Sequence, residues 1–421
     1  MPAPGDPLLF YTGAALCLAV VGQATLGLVG LLRARAQRRQ RSDADAAAFR
    51  TEAAAAAESA RARLARRVAW EGRRPLRVSA VVDESPGVKS IYLTDPAGNP
   101  LPRFLPGQYL TVALPAGEGG AEVVRCYSFS DRPRPEYYRV SVRRQDAPSD
   151  PPGAPAGAAS TWLHANAREG LALLCEAPRG AFFYNPAQPR AAVLVGAGVG
   201  VTPLVAMLEA IHHARLDTPT HAFFGFRDGA SRLWPDRLRE IAEADPRVSV
   251  HVSLSRPAPG DKLGEDYHAA GRLSVETLRR ALPSSNYEFF LCGPGRMMQS
   301  MAIDLLEWGV PDTAIHFEAF GPASVSLEAG AILQKALGSP VRFAADAPPL
   351  VWDGKHATLL DLAEATGVPI AAGCRAGNCG ACRVRVVQGK VAVLRKAGAT
   401  TADGECLACI SLPDGPVLLE A

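Results

Sequence analysis

Five of the nine cysteines lie in the last 48 residues, and their spacing is the strongest chemical signal in the chain. Cys374, Cys379 and Cys382 read C-x4-C-x2-C, and Cys409 follows after 26 intervening residues. Four thiolates at this spacing suit a [2Fe–2S] cluster. Such a cluster also needs backbone N–H groups turned toward the sulfurs, because those bonds help set its potential. Gly373, Gly377 and Gly380 let the loop fold that tightly. A second pairing is present, Cys379-x2-Cys382 with Cys406-x2-Cys409, as in two zinc knuckles. It leaves Cys374 and the small-residue loop without a purpose, so the iron–sulfur reading is preferred, with Cys406 as a fifth, non-ligand cysteine.

Three further motifs carry chemistry. Arg125-Cys126-Tyr127-Ser128 ends a β-rich run, with Pro106-Gly107-Gln108-Tyr109 upstream and Gly157-Ala158-Ala159-Ser160 downstream. An Arg can grip a phosphate in a bidentate way, an aromatic ring can cover a flat heterocycle, and a small hydroxyl can bond a ring nitrogen. Gly196-Ala197-Gly198-Val199-Gly200-Val201-Thr202-Pro203 joins an apolar run to a helical one. A loop in that setting brings N–H groups and a helix amino end to a pyrophosphate. Cys292-Gly293-Pro294 ends a later strand.

The elements that must position these residues fall into blocks. Short β-rich runs (LRVSAVV, SIYLT, GQYLTVALP, EVVRCYSFS, YYRVSVRR) are broken by DPAGNP and DRPRP, which predicts an antiparallel barrel or sandwich. From Arg190 apolar strand runs alternate with helical ones, which predicts βαβ units and a parallel sheet. In such sheets ligands bind beyond the carboxyl ends of the strands. The Cys block follows a short connector.

Pro7 to Leu32 holds no charged residue and is followed by Arg33, Arg35, Arg38, Arg39 and Arg41. About 20 apolar residues span a bilayer. With the basic cluster after the run and none before it, a retained single-span anchor is expected, amino terminus out and catalytic domains cytoplasmic. The Ala- and Arg-rich stretch after it reads as a helical stalk. Residues 33–77 contain thirteen Arg against five acids, so the remainder of this +3 chain is acidic by 5. That balance argues against a nucleic-acid partner. The composition, 48% hydrophobic and 21% charged, excludes a wholly disordered, collagen-like or polytopic membrane protein.

The expected organisation is an anchor (1–32), stalk (33–71), antiparallel β-barrel domain (72–189), α/β parallel-sheet domain (190–321), linker (322–336) and Cys-bearing α+β domain (337–421).

With these motifs in view, the last block resembles a plant-type ferredoxin domain through GCRAGNCGAC and LACISLP. The resemblance implies Cys374, Cys379, Cys382 and Cys409 as cluster ligands. Unlike the acidic plant ferredoxins, this block balances eight basic against eight acidic residues. Residues 73–322 resemble the ferredoxin–NADP reductase-like family, in particular the reductase half of flavohaemoglobins, through PGQYL, RCYS, GAGVGVTP, FFGFRDG, LCGP and HFEAFGP. No haem domain precedes that half here; the anchor and stalk stand in its place. The order flavin, nicotinamide, ferredoxin also resembles phthalate dioxygenase-type reductases, which use FMN. It differs from the flavin subunit of the sodium-pumping quinone reductase, where the ferredoxin comes first. What the three folded blocks resemble implies a flavin, a nicotinamide and a β-grasp ferredoxin domain in turn.

The resemblance implies FAD, in preference to FMN, at Tyr109, Arg125, Tyr127, Ser128, Gly157 and Ser160, with Glu318 and Phe320 beside the flavin. It implies NADH or NADPH at Gly198, Val199, Gly200, Val201 and Thr202 and at Cys292, Gly293 and Pro294. Ser128, Cys292 and Glu318 are the expected catalytic set. The reading is an electron chain from NAD(P)H through flavin and [2Fe–2S] to an oxygenase, hydroxylase or desaturase component. A quinone or respiratory acceptor and a redox sensor are the alternatives. Arg227 and Arg232 suit a 2′-phosphate and Asp228 opposes one, so the choice is undecided between NADH and NADPH, with NADH favoured partly by the resemblance.

Overall fold

We analysed a computed structural model of the chain. It describes residues 35, 69–115, 122–147, 157–187, 189–318, 320, 329–375, 377, 380–394, 399 and 401–421. The expected anchor, almost all of the expected stalk, and Cys379 lie outside the described residues. Among the described residues no helix is long and apolar enough to cross a membrane.

The first block is an antiparallel sheet of β1 (Arg73–Ser85), β2 (Val88–Thr94), β3 (Tyr109–Leu114), β4 (Val123–Ser128), β5 (Tyr138–Arg143) and β6 (Ala172–Arg179). The strand order is β4-β3-β6-β1-β2-β5. A bridge between Phe129 and Val140 joins the two edges, so the sheet closes on itself like a barrel. Leu76, Val78, Ile91, Leu93, Leu110, Val112, Val140 and Val142 fill its interior, as alternation along each strand requires. Helix α1 (Ala158–Asn166) lies against β4 and β5.

The second block is parallel: β7 (Ala192–Ala197), β8 (Thr220–Phe226), β9 (Val248–Leu254), β10 (Ala269–Ala270), β11 (Glu288–Cys292) and β12 (Ile315–Glu318), in the order β10-β9-β8-β7-β11-β12. Helices α2 (Val201–Ala214), α3 (Pro235–Ala244), α4 (Val275–Ala281) and α5 (Gly295–Glu307) connect them. Strand β7 is buried along almost its whole length, as a central strand covered on both faces must be. The strand order reverses between β7 and β11, which opens the ligand crevice between their carboxyl ends.

The third block has α6 (Ala329–Ala336), β13 (Pro340–Arg342), β14 (Leu350–Val351), α7 (Leu359–Ala365), β15 (Arg383–Gln388), β16 (Val391–Val393), β17 (Glu405–Leu407), β18 (Ser411–Pro413) and β19 (Val417–Glu420). Five strands pair as β14-β13-β19-β15-β17, and β16 pairs with β18. The expected linker thus contains a helix. Its Ile332 and Ala336 pack on this domain's core with Val341, Trp352 and Leu360, which gives the segment a reason to fold. All three blocks belong to one compact unit, residues 65–421.

Candidate functional site

One carboxylate marks the place where the three blocks meet. Glu318 ends β12 and is buried. Its Oε2 accepts a hydrogen bond from the Ser128 hydroxyl at 3.0 Å, across 190 residues of sequence. In the register of the parallel sheet it lies opposite Cys292, and Cys292 lies opposite Gly196. The ends of β12, β11 and β7 therefore form one row beside the end of β4. Burial pushes the Glu318 carboxyl up to about 8; the Ser128 hydroxyl works against this and the negative charge of Cys374 adds to it. Cys374 is in the third block, so Glu318 feels groups from all three. Burial, then Glu318, raises the Cys292 thiol well above its usual range, so it sits there neutral.

The Gly-rich loop folds as a short 3-10 turn, Gly198–Gly200, leading into α2. A Cβ on Gly200 would stand 2.5 Å from the Cys292 carbonyl oxygen and 2.6 Å from the Gly293 Cα. The loop after β7 is thus pressed directly on the loop after β11. Val201 is fully buried, and the Thr202 hydroxyl donates to the Val199 carbonyl at 2.9 Å. Those two side chains serve the fold, and what the loop presents to a ligand is backbone. Pro294 caps the start of α5.

On the flavin side, Arg125 is half-buried and donates to the Val124 carbonyl at 2.8 Å. Among the described residues no carboxylate lies within ion-pair distance of it. Burial, then the like charge of Arg375, lowers its pKa. A half-buried guanidinium with no carboxylate against it is a fitting seat for a phosphate. Tyr127 is half-buried beside it, and burial raises its phenol. Tyr109 pairs with Ser128 across β3 and β4, but its ring is 2% exposed and packs beside Gly180. The Ser160 hydroxyl donates to the Gly157 carbonyl at 3.0 Å and accepts from the Gln145 N–H at 3.1 Å, fixing the start of α1. Phe320, two residues after Glu318, is exposed.

Two arginines were not singled out by sequence reasoning. Arg143 ends β5, and one of its guanidinium nitrogens lies 3.9 Å from where a Cβ of Gly198 would be. It brings positive charge from the barrel to the loop that would hold a pyrophosphate. Arg375 follows Cys374, pairs with Glu364 and with Asp361 at 3.7 Å, and faces Arg125 electrostatically. Nothing local in the sequence marks either; both depend on which blocks touch.

Of the four expected cluster ligands, Cys374, Cys382 and Cys409 are described: Cys382 and Cys409 are in contact and Cys374 is near enough for both to feel its charge, but among the described residues no three metal-binding side chains are grouped closely enough to hold an ion. The Cys382 and Cys409 thiols share a hydrogen bond that favours ionisation of Cys382 and keeps the proton on Cys409, and both feel Cys374. The Gly377 N–H points at the Cys409 sulfur at 3.3 Å. Gly377 has φ +73°, and a Cβ there would meet Ile410 at 2.6 Å, so this turn needs glycine. A contacting pair of thiols with a backbone donor aimed at one sulfur is the part of a thiolate-held site that the described residues show. Cys406 is buried on β17 opposite Val384, and burial pushes its thiol up to about 11.

Comparison with known proteins agrees with this geometry. Residues 194–302 match the oxidoreductase NAD-binding domain family, and residues 352–414 match the 2Fe-2S iron-sulfur cluster binding domain family. The flavohemoprotein of Chromobacterium violaceum is 37% identical over 252 residues, covering 60% of this chain and 61% of that protein. The chain thus spans about three-fifths of the length of the curated relatives it matches. The FAD/NAD binding domain of nitric oxide dioxygenase from Vibrio cholerae O1 biovar El Tor matches with TM-score 0.52 and 27% identity, over 59% of this chain and 99% of that one. Phthalate dioxygenase reductase shares the fold over 83% of this chain and 98% of its own, with TM-score 0.52 and 22% identity. An intact type IV self-sufficient cytochrome P450 monooxygenase matches over 83% of this chain and 41% of its own, with TM-score 0.55 and 25% identity. Residues 194–302 are thus an oxidoreductase NAD-binding domain and residues 352–414 a 2Fe-2S cluster binding domain, set behind an antiparallel β-barrel in the fold shared with phthalate dioxygenase reductase.

Proposed function

We propose that the protein carries electrons from NAD(P)H to its iron–sulfur domain and from there to an oxygenase, hydroxylase or desaturase component, while held at the cytoplasmic face of a membrane. The observation that carries this reading is the position of Glu318, against Ser128 of the barrel, Cys292 of the nicotinamide domain and the field of Cys374. One point of the molecule is common to all three blocks, as a hydride site beside an electron exit requires.

When bound, the flavin supplies the exchange between hydride and single electrons. Arg125 and the start of α1 would hold its phosphates. The Gly198–Gly200 turn and Arg143 would hold the nicotinamide pyrophosphate. Cys292 and Gly293 would shape the floor under the nicotinamide. Glu318 holds a proton at neutral pH, and the Ser128 hydroxyl is oriented by it. Cys374, Cys382 and Cys409, with Cys379, would hold the cluster.

An oxygenase-type acceptor is supported by the names of the relatives that share the whole three-block order: a dioxygenase reductase and a P450 monooxygenase. The membrane location rests on the uncharged run 7–32 and its Arg cluster alone. The test is an anaerobic titration of the purified holoprotein with NADH, followed by visible absorbance. Flavin and cluster bands should bleach together, and a quinone added afterwards should not restore them as an oxygenase component does. Bleaching of the flavin with an unchanged cluster would sink the chain of transfer. Rapid recovery with quinone would move the acceptor to the respiratory class.

A further inference from the structure

We propose that Asp266 sets the coenzyme choice of this protein by withdrawing Arg232 from the adenosine end of the nicotinamide site, so that NADH is preferred to NADPH. The inference rests on the nicotinamide-binding reading of β7 to β12 and deepens it.

The place of the adenosine ribose follows from the sheet. Strand β8 lies directly beside β7, and Gly225 is opposite Ala197, one residue before the Gly-rich turn. The ribose next to a pyrophosphate held on that turn reaches the residues just after β8. Those are Arg227 to Arg232. A 2′-phosphate wants a guanidinium there, and a 2′-hydroxyl wants an acceptor without one.

Arg232 is one of the two cations that follow β8, and it is already spent. Its guanidinium donates to the Asp266 carboxylate at 2.6 Å, to the Asp266 carbonyl at 2.8 Å and to the Gly229 carbonyl at 3.3 Å. Its side chain is 18% exposed. Asp266 is itself fixed, since the Lys262 N–H donates to its other oxygen at 3.0 Å. The same loop is stapled a second time by Asp261, which accepts from the Gly229 N–H at 2.9 Å and the Ala258 N–H at 2.7 Å. The loop is therefore held shut against the segment after β9.

Three other charged groups stand near. Asp228 holds its own turn by accepting from the Ser231 N–H at 3.0 Å, and its carboxylate would lie against any phosphate placed there. Arg227 is 70% exposed, and its guanidinium is 4.0 Å from that same carboxylate. A phosphate drawn to Arg227 must also meet Asp228, so attraction and repulsion offset each other. Arg256 follows β9, and its N–H donates to the Arg227 carbonyl at 2.7 Å, so it is exposed beside Arg227 at the outer side of the same edge. With Arg232 withdrawn, the only cations left at this edge among the described residues are the exposed Arg227, which shares its place with the Asp228 carboxylate, and Arg256, while the buried side offers acceptors and backbone, which suits a free 2′-hydroxyl.

The test is steady-state turnover of the flavin- and cluster-loaded protein with NADH and with NADPH, using ferricyanide as acceptor. The wild type should favour NADH in kcat/KM by at least about tenfold, the scale of one charge-assisted bond. Asp266→Asn should raise the NADPH/NADH ratio by about tenfold, mainly through KM for NADPH. Adding Arg232→Gln to that variant should return the ratio to the wild-type value. A merely structural role for Asp266 would weaken both coenzymes alike, and the second substitution would restore nothing; that pattern, or a wild type that prefers NADPH, overturns the inference. Absence of turnover with either coenzyme in the wild type would instead strike the nicotinamide-binding reading itself.

Discussion

The hydroxyl of Ser128 donates to the carboxylate of Glu318 at 3.0 Å, and this bond joins the end of a barrel strand to the end of the last strand of the parallel sheet. The proposed hydride site is thereby shared by two blocks. Neither residue can be replaced without leaving the other's polar atom in a buried place.

The first prediction concerns the proton on Glu318. Its carboxyl titrates near 8 in the folded protein against about 4.5 when exposed. Because the folded state binds this proton more tightly, its stabilising contribution is complete below about 4.5 and is lost as pH rises towards about 8. Glu318→Gln removes that proton linkage. Thermal melts from pH 5 to pH 8 should therefore show a shallower fall for Glu318→Gln than for the wild type. The rate of flavin reduction by NADH should lose its inflection near 8 in the same variant. A wild-type inflection that survives the substitution would assign it to another group.

Arg143 yields the second prediction. It reaches from the barrel to the Gly-rich turn, where a guanidinium can grip a pyrophosphate. Arg143→Ala should raise KM for NADH about tenfold with little change in kcat. Stopped-flow reduction at saturating NADH separates the two. A fall in kcat at unchanged KM would mean that Arg143 positions the domains instead of the coenzyme.

These two residues mark the limit of what could be read from sequence. The cysteine spacing and the Gly-rich loop were legible because the constraint is local: a few consecutive residues must turn around sulfur or phosphate. The βαβ alternation was legible for the same reason, through apolar periodicity. Ser128 stands out in its motif and Glu318 only through a family resemblance, and nothing in the chain says that these two residues, 190 apart, will touch. Arg143 and Arg375 carried no signal at all, because their meaning arises where blocks meet. The helix Ala329–Ala336 was read as linker, and only the apolar surface of the third block makes it fold. Tyr109 lies on β3 and Val201 and Thr202 follow the Gly-rich turn, yet their side chains are buried in the fold.

The third prediction tests the contact between the two loops of the nicotinamide site. Gly200→Ala would place a methyl 2.5 Å from the Cys292 carbonyl, and the obstructing atoms are backbone. The loops must part, at a cost of about 1–3 kcal/mol. A lower melting temperature together with weaker NADH binding is expected. Unchanged binding would show that the close approach of the loops is not needed by the coenzyme.

The last prediction separates the two ways of using the carboxy-terminal cysteines. In the [2Fe–2S] arrangement Cys374, Cys379, Cys382 and Cys409 are ligands and Cys406 is a buried bystander opposite Val384. In a pair of zinc knuckles Cys406 would be a ligand and Cys374 would not. Cys406→Ser should therefore keep two irons per chain and the cluster's visible bands. Its cost should be confined to stability, because a hydroxyl replaces a buried thiol. Cys374→Ser should lose the bands and all electron delivery to a protein acceptor while NADH–ferricyanide turnover at the flavin persists. The reverse pattern, with metal lost from the Cys406 variant and kept in the Cys374 variant, would put zinc at the end of the chain and leave the flavin as the last redox centre.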